Sequence, residues 1–212
     1  MPNWVRSVVT FTCEEDRLND IREALKNEEK NTVFDFNKLV PMPESLNIDD
    51  GSTTDRAEKC YEAKIKNDET EIKELKERYG DKYYDLLKLG EICAENREKY
   101  GHRSWYDWSI ENWGTKWNAR EPMWIDDNVL IFETAWSCPT PIFNKLAEKF
   151  SDLEFDVRYA DEDIGYNCGT LEYSNGALCS VDIESEPSYD FAFDVWDYND
   201  ISRKEFLEEI GE

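Results

Sequence analysis

Along the chain, apolar and polar positions first alternate as in a strand and then recur as in a helix. Trp4 to Thr12 is rich in β-branched residues and alternates through Val5, Val8, Thr10 and Thr12, which predicts a strand. Leu18, Ile21 and Leu25 follow at helical spacing and predict a helix over Glu14 to Asn27. Val33 to Val40 reads as a second strand, stopped by Pro41-Met42-Pro43. The opening therefore reads as β-α-β.

The second half repeats that order. Val129 to Ala135 predicts a strand, and Pro139 to Phe150 a helix with Ile142, Phe143, Leu146 and Phe150 on one side, its proline in the favoured N-terminal place. Leu153 to Ala160 predicts another strand. Two such halves give a ferredoxin-like α+β two-layer sandwich. Gly165 to Tyr173 and Ala177 to Ile183, joined across Asn175-Gly176, predict an added β-hairpin. Between the halves, Ser45 to Thr54 reads as a loop. The Lys- and Glu-rich stretch Ala57 to Tyr79 and then Asp81 to Tyr100 read as helices broken at Gly80. The pattern thus divides the chain into a core of residues 1–53 and 101–184, a helical insertion of residues 54–100, and an acidic, aromatic C-terminal segment of residues 185–212. That last segment closes with a short helix over Arg203 to Ile210.

One stretch breaks both periods. Trp105, Trp108, Trp113 and Trp117 fall within thirteen positions. Rings of that size must be buried or saved for a partner. Trp105 and Trp108 are three apart, and Trp113 and Trp117 four apart, so each pair can share a helical face. Asn112-Trp113-Gly114-Thr115 interrupts the spacing and favours a packed loop crossing the sheet. These four rings form the candidate structural or ligand site. Stacking on bases would need a basic groove, and only Arg103, Lys116 and Arg120 lie nearby.

Charge changes the picture further. The 212 residues carry 49 acids against 25 bases, a net charge of −24, while 40% hydrophobic and 14% aromatic content argue against wholesale disorder. From residue 154 onward there are seventeen acids and three bases, a net of −14. Direct nucleic-acid binding is disfavoured, because phosphate contact needs clustered Lys and Arg. The same region interleaves Asp190, Asp194 and Asp197 with Trp196 and Tyr198, which makes these five residues the candidate partner-binding surface. Six cysteines, no two closer than eleven positions and with no C-x-x-C, predict free thiols and no zinc knuckle. The N-terminus lacks the pattern of a secretory signal, and no apolar run nears the roughly 20 residues that span a bilayer. A cytoplasmic address and no membrane partner are expected.

Enzymatic chemistry finds little to work with. His102 is the one histidine and has no partner motif beside it. G-x-S-x-G, P-loop and G-x-G-x-x-G patterns are absent. Asp161-Glu162-Asp163 and Asp126-Asp127 stand beside predicted strands, but neighbouring acids on a turn seldom converge on a metal. A solvated turn is the expected role of the first cluster. No catalytic residue, metal or cofactor is assigned.

The segments MPNWVRSVVTF, FDFNKLVPMPESL, NWGTKWNA, FETAWSCPTPIFNKLAEKF and YADEDIGYNCG occur in this order. Together they resemble the YubB-like, ferredoxin-like-domain proteins of bacteriophages, plasmids and integrative elements. The resemblance implies an α+β fold and carriage on mobile DNA, and it carries over no catalytic residue. With the charge, it makes the expected function non-enzymatic binding of a basic host protein or nucleoprotein complex through an acidic surface. In its sharpest form such a protein inhibits a defence or DNA-binding complex by mimicking nucleic-acid phosphates. The alternatives are a metal-dependent enzyme acting on nucleotides or nucleic acid, and a ligand-binding accessory protein without an inhibitory role.

Overall fold

The computed structural model describes residues 3–211; Met1, Pro2 and Glu212, which fall in the first quoted segment and the expected C-terminal segment, lie outside the described residues. In chain order the elements are β1 (Trp4–Thr12), α1 (Glu15–Leu25), α2 (Ser52–Ile65), α3 (Glu69–Tyr79), α4 (Lys82–Tyr100) and α5 (Trp105–Trp113). There follow β2 (Arg120–Asp126), β3 (Val129–Ala135), α6 (Thr140–Lys149), β4 (Glu154–Asp161), β5 (Gly169–Ser174), β6 (Ala177–Ile183), α7 (Tyr189–Trp196) and α8 (Asp200–Ile210). The six strands form one sheet in the order β2-β3-β1-β4-β5-β6, antiparallel at every step. With α1 after β1 and α6 after β3, the first four strands have the ferredoxin-like arrangement, and β5 and β6 extend it as a hairpin. No helix of the described residues is long and apolar enough to cross a membrane.

The chain forms two compact units, residues 1–41 with 112–212, and residues 42–111. The second unit is wider than the 54–100 insertion expected from the pattern, and residues 185–212 belong with the sheet.

In the first unit, strand alternation sets two faces. On one face of β1, Val5, Ser7, Val9 and Phe11 are buried, and the register aligns them with Thr134, Phe132 and Leu130 of β3 and Tyr159, Val157 and Phe155 of β4. Helix α6 supplies Phe143, whose ring lies 6.0 Å from Phe132 and 6.4 Å from Phe155. Helix α1 places Arg22 over Trp124 of β2 at 4.8 Å. Helices α7 and α8 lie on the opposite face. There Ala192, Phe193 and Val195 pack with Ala160, Ile164 and Cys168, and Phe206 and Leu207 close over them. The C-terminal segment is therefore a helical cover on the sheet.

Val33 to Val40 is not a strand. Asn27 and Thr32 make an isolated bridge, and Phe36–Lys38 is a 3₁₀ turn. The cause is Asp35, which is fully buried. Its carboxylate accepts from the Asn37 backbone N–H at 3.0 Å, an Asx turn that competes with an extended ladder. It also accepts from the side chains of Asn27 at 2.6 Å, Lys30 at 2.9 Å, Asn37 at 2.9 Å and Asn118 at 2.6 Å. The alternating Phe34 and Phe36 are core residues of the turn, edge-on to Phe132 at 5.1 and 5.9 Å. The second strand of the ferredoxin-like order is instead β2, which sequence periodicity missed. Pro122 and two register shifts against β3 disguise its alternation.

The second unit holds α2, α3, α4 and most of α5. The helical run read as Ala57 to Tyr79 divides at Asn67, which has φ +53, and Asp68 caps α3 by accepting from the Glu71 N–H. Gly90 of α4 meets α2 so closely that an added Cβ would stand 2.2 Å from the Ala57 carbonyl oxygen. Arg103 donates to Asp50, Asp55 and Glu58, and Asn96, buried, bonds the Ser45 and Arg103 carbonyls.

Burial alone would raise the Asp35 pKa, but the hydrogen bonds from Asn37, Asn118, Lys30 and Asn27 outweigh it and hold the carboxyl well below the usual carboxylate range. Its stabilising effect is thus fully present above pH ~4 and is lost as pH falls below that value. Asp35→Ala should cost about 3 kcal/mol, because it strands the partly buried amides of Asn27, Asn37 and Asn118. Urea unfolding at pH 7 and at pH 3 checks both points. The variant should lie far below the wild type at pH 7, and the gap should narrow at pH 3.

Candidate functional site

The tryptophan-rich stretch is part helix and part loop. Trp105 and Trp108 lie on α5 with Trp113 at its end; Trp108 and Trp113 are buried, and Trp105 is half-buried. The Trp113 indole donates to the Val40 carbonyl at 2.9 Å. Gly114 turns the chain at φ +76, with a would-be Cβ only 2.5 Å from Pro141, so no other residue fits there. Thr115 donates to the Ala135 carbonyl at 2.8 Å, and the Gly114 carbonyl accepts from Ser137 at 2.5 Å. Asn118 bonds Asp35 and accepts from the Phe36 N–H at 2.9 Å. Most of the motif is therefore internal scaffolding, which leaves Lys116 and Trp117 toward the surface.

Those two belong to a ladder of rings and cations at one end of the sheet. The Arg120 guanidinium lies 4.4 Å from the Trp4 ring, and Trp4 and Trp117 are 5.8 Å apart. The Lys116 ammonium lies 4.4 Å from Trp117 and 5.0 Å from Trp136. Arg120 also bonds Glu133 at 2.8 Å. Trp117 is 37% and Trp136 45% exposed. Trp136 has φ +70, a left-handed conformation that is rare for a bulky side chain. Its N–H bonds the Asn3 carbonyl at 2.9 Å, and its carbonyl accepts from Asn167 at 3.3 Å. Trp4 and Trp136 were not singled out from the sequence, since each is isolated there and only the sheet brings it beside Trp117.

The five C-terminal candidates separate. The Trp196 indole donates to the Asp161 carbonyl at 2.9 Å and the Ala160 carbonyl at 3.2 Å, under an Arg6 guanidinium 5.6 Å away. Tyr198 stacks on Phe193 at 5.5 Å. Asp194 is exposed but holds Arg203 at 2.5 Å and Arg158 at 3.9 Å. Those three residues anchor α7 and α8 to the sheet. Asp190 and Asp197 remain on the exposed side of α7 and at its left-handed C-cap.

A further charge feature lies on strands, where only the register reveals it. On the face that carries α7, but beyond the helix, β4 presents Glu154 and Asp156, β5 presents Glu172 and β6 presents Asp182. Asp156 and Glu172 are directly opposite each other, a like-charge pair that destabilises a sheet. Burial is the largest effect and raises the Asp156 pKa; Arg158 then lowers it, and Glu172 adds a smaller rise. Glu154, Asp156 and Glu172 line a shallow concavity of about 300 Å³ with Thr12 and Ser174. Arg158, Arg203 and Lys204, the bases of this part of the chain, pair with Asp194 and Glu208, and no described ion pair reaches the four strand acids.

The other candidates are structural. Asp161 is buried rather than on a solvated turn, and accepts from Asn3 at 3.2 Å, the Asp163 N–H at 2.9 Å and Asn167 at 3.3 Å. Asp126 accepts from the neighbouring Asp127 N–H. His102 bonds Glu111. Burial pushes the Cys93 and Cys168 thiols up to about 11 and Cys138 to about 12, so these sulfurs stay protonated and poorly nucleophilic at neutral pH. Among the described residues, no group of three His, Cys, Asp or Glu side chains converges to hold a metal ion.

Residues 112–199 match the family model described as the ferredoxin-like domain in Api92-like protein. The matched span begins at the tryptophan loop and takes in strands β2 to β6 with helices α6 and α7, but not the central strand β1. A crystal structure of a protein api92 from Yersinia pseudotuberculosis aligns over 88% of this chain and 100% of that one, at 10% identity and a TM-score of 0.40. No curated protein sequence matches the chain.

Glu172→Gln removes the like charge opposite Asp156 while keeping the strand side chain. It should lower the Asp156 pKa and stabilise the fold at pH 7 by about 0.5 kcal/mol. Carbon-detected NMR titration and thermal unfolding check the two effects together.

Proposed function

We propose that this chain is a non-enzymatic binding module that takes up a basic protein on the acidic strand face of its ferredoxin-like sheet. The observation that carries the reading is the Asp156–Glu172 pair, two opposed carboxylates on an open sheet face with no described ion pair to neutralise them. Such a pair costs stability in isolation and is relieved when a partner brings cations. Glu154 and Asp182 widen the patch, and Asp190 and Asp197 extend the negative field on α7. Trp196 and Tyr198 act through the fold, by holding α7 in place.

The partner class is a protein or nucleoprotein complex with exposed Lys and Arg. The resemblance to proteins carried on mobile DNA supports a finer reading, in which the target is a host nucleic-acid-binding complex and the carboxylates take the place of phosphates. Interfaces of this type associate fast and weaken with salt, because steering between exposed charges is screened beyond about 8 Å at physiological ionic strength.

The test compares capture from host-cell lysate by the wild type and by a Glu154→Gln, Asp156→Asn, Glu172→Gln, Asp182→Asn variant, with washes at low and at high salt. The wild type should enrich a basic nucleic-acid-binding protein that fades as salt rises, and the variant should not hold it even at low salt. Equal capture by the variant, or retention indifferent to salt, would sink the proposal. Asp190→Asn with Asp197→Asn should slow association with little change in melting temperature, since neither side chain enters a described ion pair.

A further inference from the structure

The two edges of the sheet are built differently. At the β2 edge stand Arg120, Glu121 at φ +49, Pro122 and two register shifts, all devices that discourage another strand from adding. At the β6 edge, Ala177–Ile183 contains no Pro, Lys or Arg, and all seven residues are exposed. One irregularity lies near its start, where Cys179 is bulged between Leu178 and Ser180.

The direction of the free backbone groups follows from the ladder. Glu184 donates its N–H to the Cys168 carbonyl at 3.1 Å. Bonded pairs alternate along an antiparallel ladder, so Asp182 and Ser180 face β5, while Val181 and Ile183 turn their N–H and C=O outward. The Val181 and Ile183 side chains, 52% and 62% exposed, lie on the face of Leu171 and Gly169; Asp182 and Ser180 lie on the acidic face beside Glu172. The edge therefore offers main-chain groups, an apolar row on one face and an acidic row on the other.

We infer that β6 is the docking strand for an extended basic segment of the partner, which adds to the sheet as a seventh strand. This rests on the function proposed above and specifies how the acidic face is used. A strand laid along β6 places its alternate residues opposite Val181 and Ile183, where apolar side chains fit. The intervening residues fall opposite Asp182 and Ser180, where Lys or Arg extends the line of Glu172 and Asp156. The matching partner sequence alternates apolar and basic residues. Charge disfavours a second copy of this chain as the occupant, because each copy carries −24 and edge pairing would join two acidic faces.

The experiment uses the full chain and a short synthetic peptide of alternating Val and Lys. Two further peptides of the same sequence are N-methylated at alternate residues in complementary patterns, each keeping its charge but losing its strand hydrogen bonds on one edge. Affinity is read by fluorescence anisotropy and the site by hydrogen exchange. The unmodified peptide should bind and protect the Val181 and Ile183 amides. Whichever of its two edges docks, the two complementary methylation patterns differ, and one of them should lower affinity by about tenfold or more. Val181→Pro, which removes an outward N–H and no β5 bond, should have a similar effect. If both methylated peptides and Val181→Pro bind as well as their parents, with no protection of β6, strand addition is wrong while the acidic face remains a binding surface. If no Lys-containing peptide binds, both proposals fall. If the chain alone sediments as a dimer with these amides protected, the edge belongs to a second copy and the inference is overturned.

Discussion

A buried carboxylate holds the first unit together. Asp35 is fully buried, a costly place for a charge unless hydrogen bonds replace its water. Five donors do so, and they come from separate stretches of chain: Asn27 and Lys30 after α1, Asn37 within the 3₁₀ turn, and Asn118 just before β2. The carboxylate thus sets where the chain enters its second strand. From that entry follow the Trp117–Trp4 contact, the position of Arg120 over Trp4 and its bond to Glu133. The carboxylate acts together with the Thr115 bond to the Ala135 carbonyl and the Ser137 bond to the Gly114 carbonyl, which fix the same return to the sheet.

The cations of this unit show why so acidic a chain keeps an open negative face. Arg6, Arg17, Arg22, Lys116, Arg120, Arg158 and Arg203 each lie within 6 Å of an aromatic ring. Their stems and heads cover apolar surface and brace loops, and several also close an ion pair. Much of the positive charge is therefore held against aromatic rings, and no described ion pair joins it to the strand acids. Arg158 illustrates the division, since it stands two residues from Asp156 yet leans over Phe191, 4.7 Å away, and toward Asp194. What remains on β4, β5 and β6 is an open acidic surface, the one proposed above as the partner site.

Much of the fold was legible because its main elements have clean periods. β1, α1, β3, α6, β4 and the β5–β6 hairpin lie where alternation and helical spacing put them. The failures have local causes. Val33 to Val40 has the apolar content of a strand, but Asp35 within it captures the Asn37 N–H with its side chain and turns the chain. β2 was hidden by Pro122 and its register shifts. Trp196 and Tyr198 resemble interface anchors in sequence, yet the sheet takes both as internal struts. The strand acids could not be found from composition, because Glu154, Asp156, Glu172 and Asp182 become one patch only when three strands are set in register.

The most direct test of that patch is the titration of the Asp156 carboxyl by NMR, with and without saturating oligolysine. Free, the group should titrate above the ordinary carboxylate value, as burial and Glu172 dictate. If cations dock on the strand face, its pKa should fall once oligolysine is bound, because a nearby positive charge favours the ionised form. An Asp156 titration that does not move while oligolysine is demonstrably bound would place the binding elsewhere and contradict the acidic strand face as the partner site.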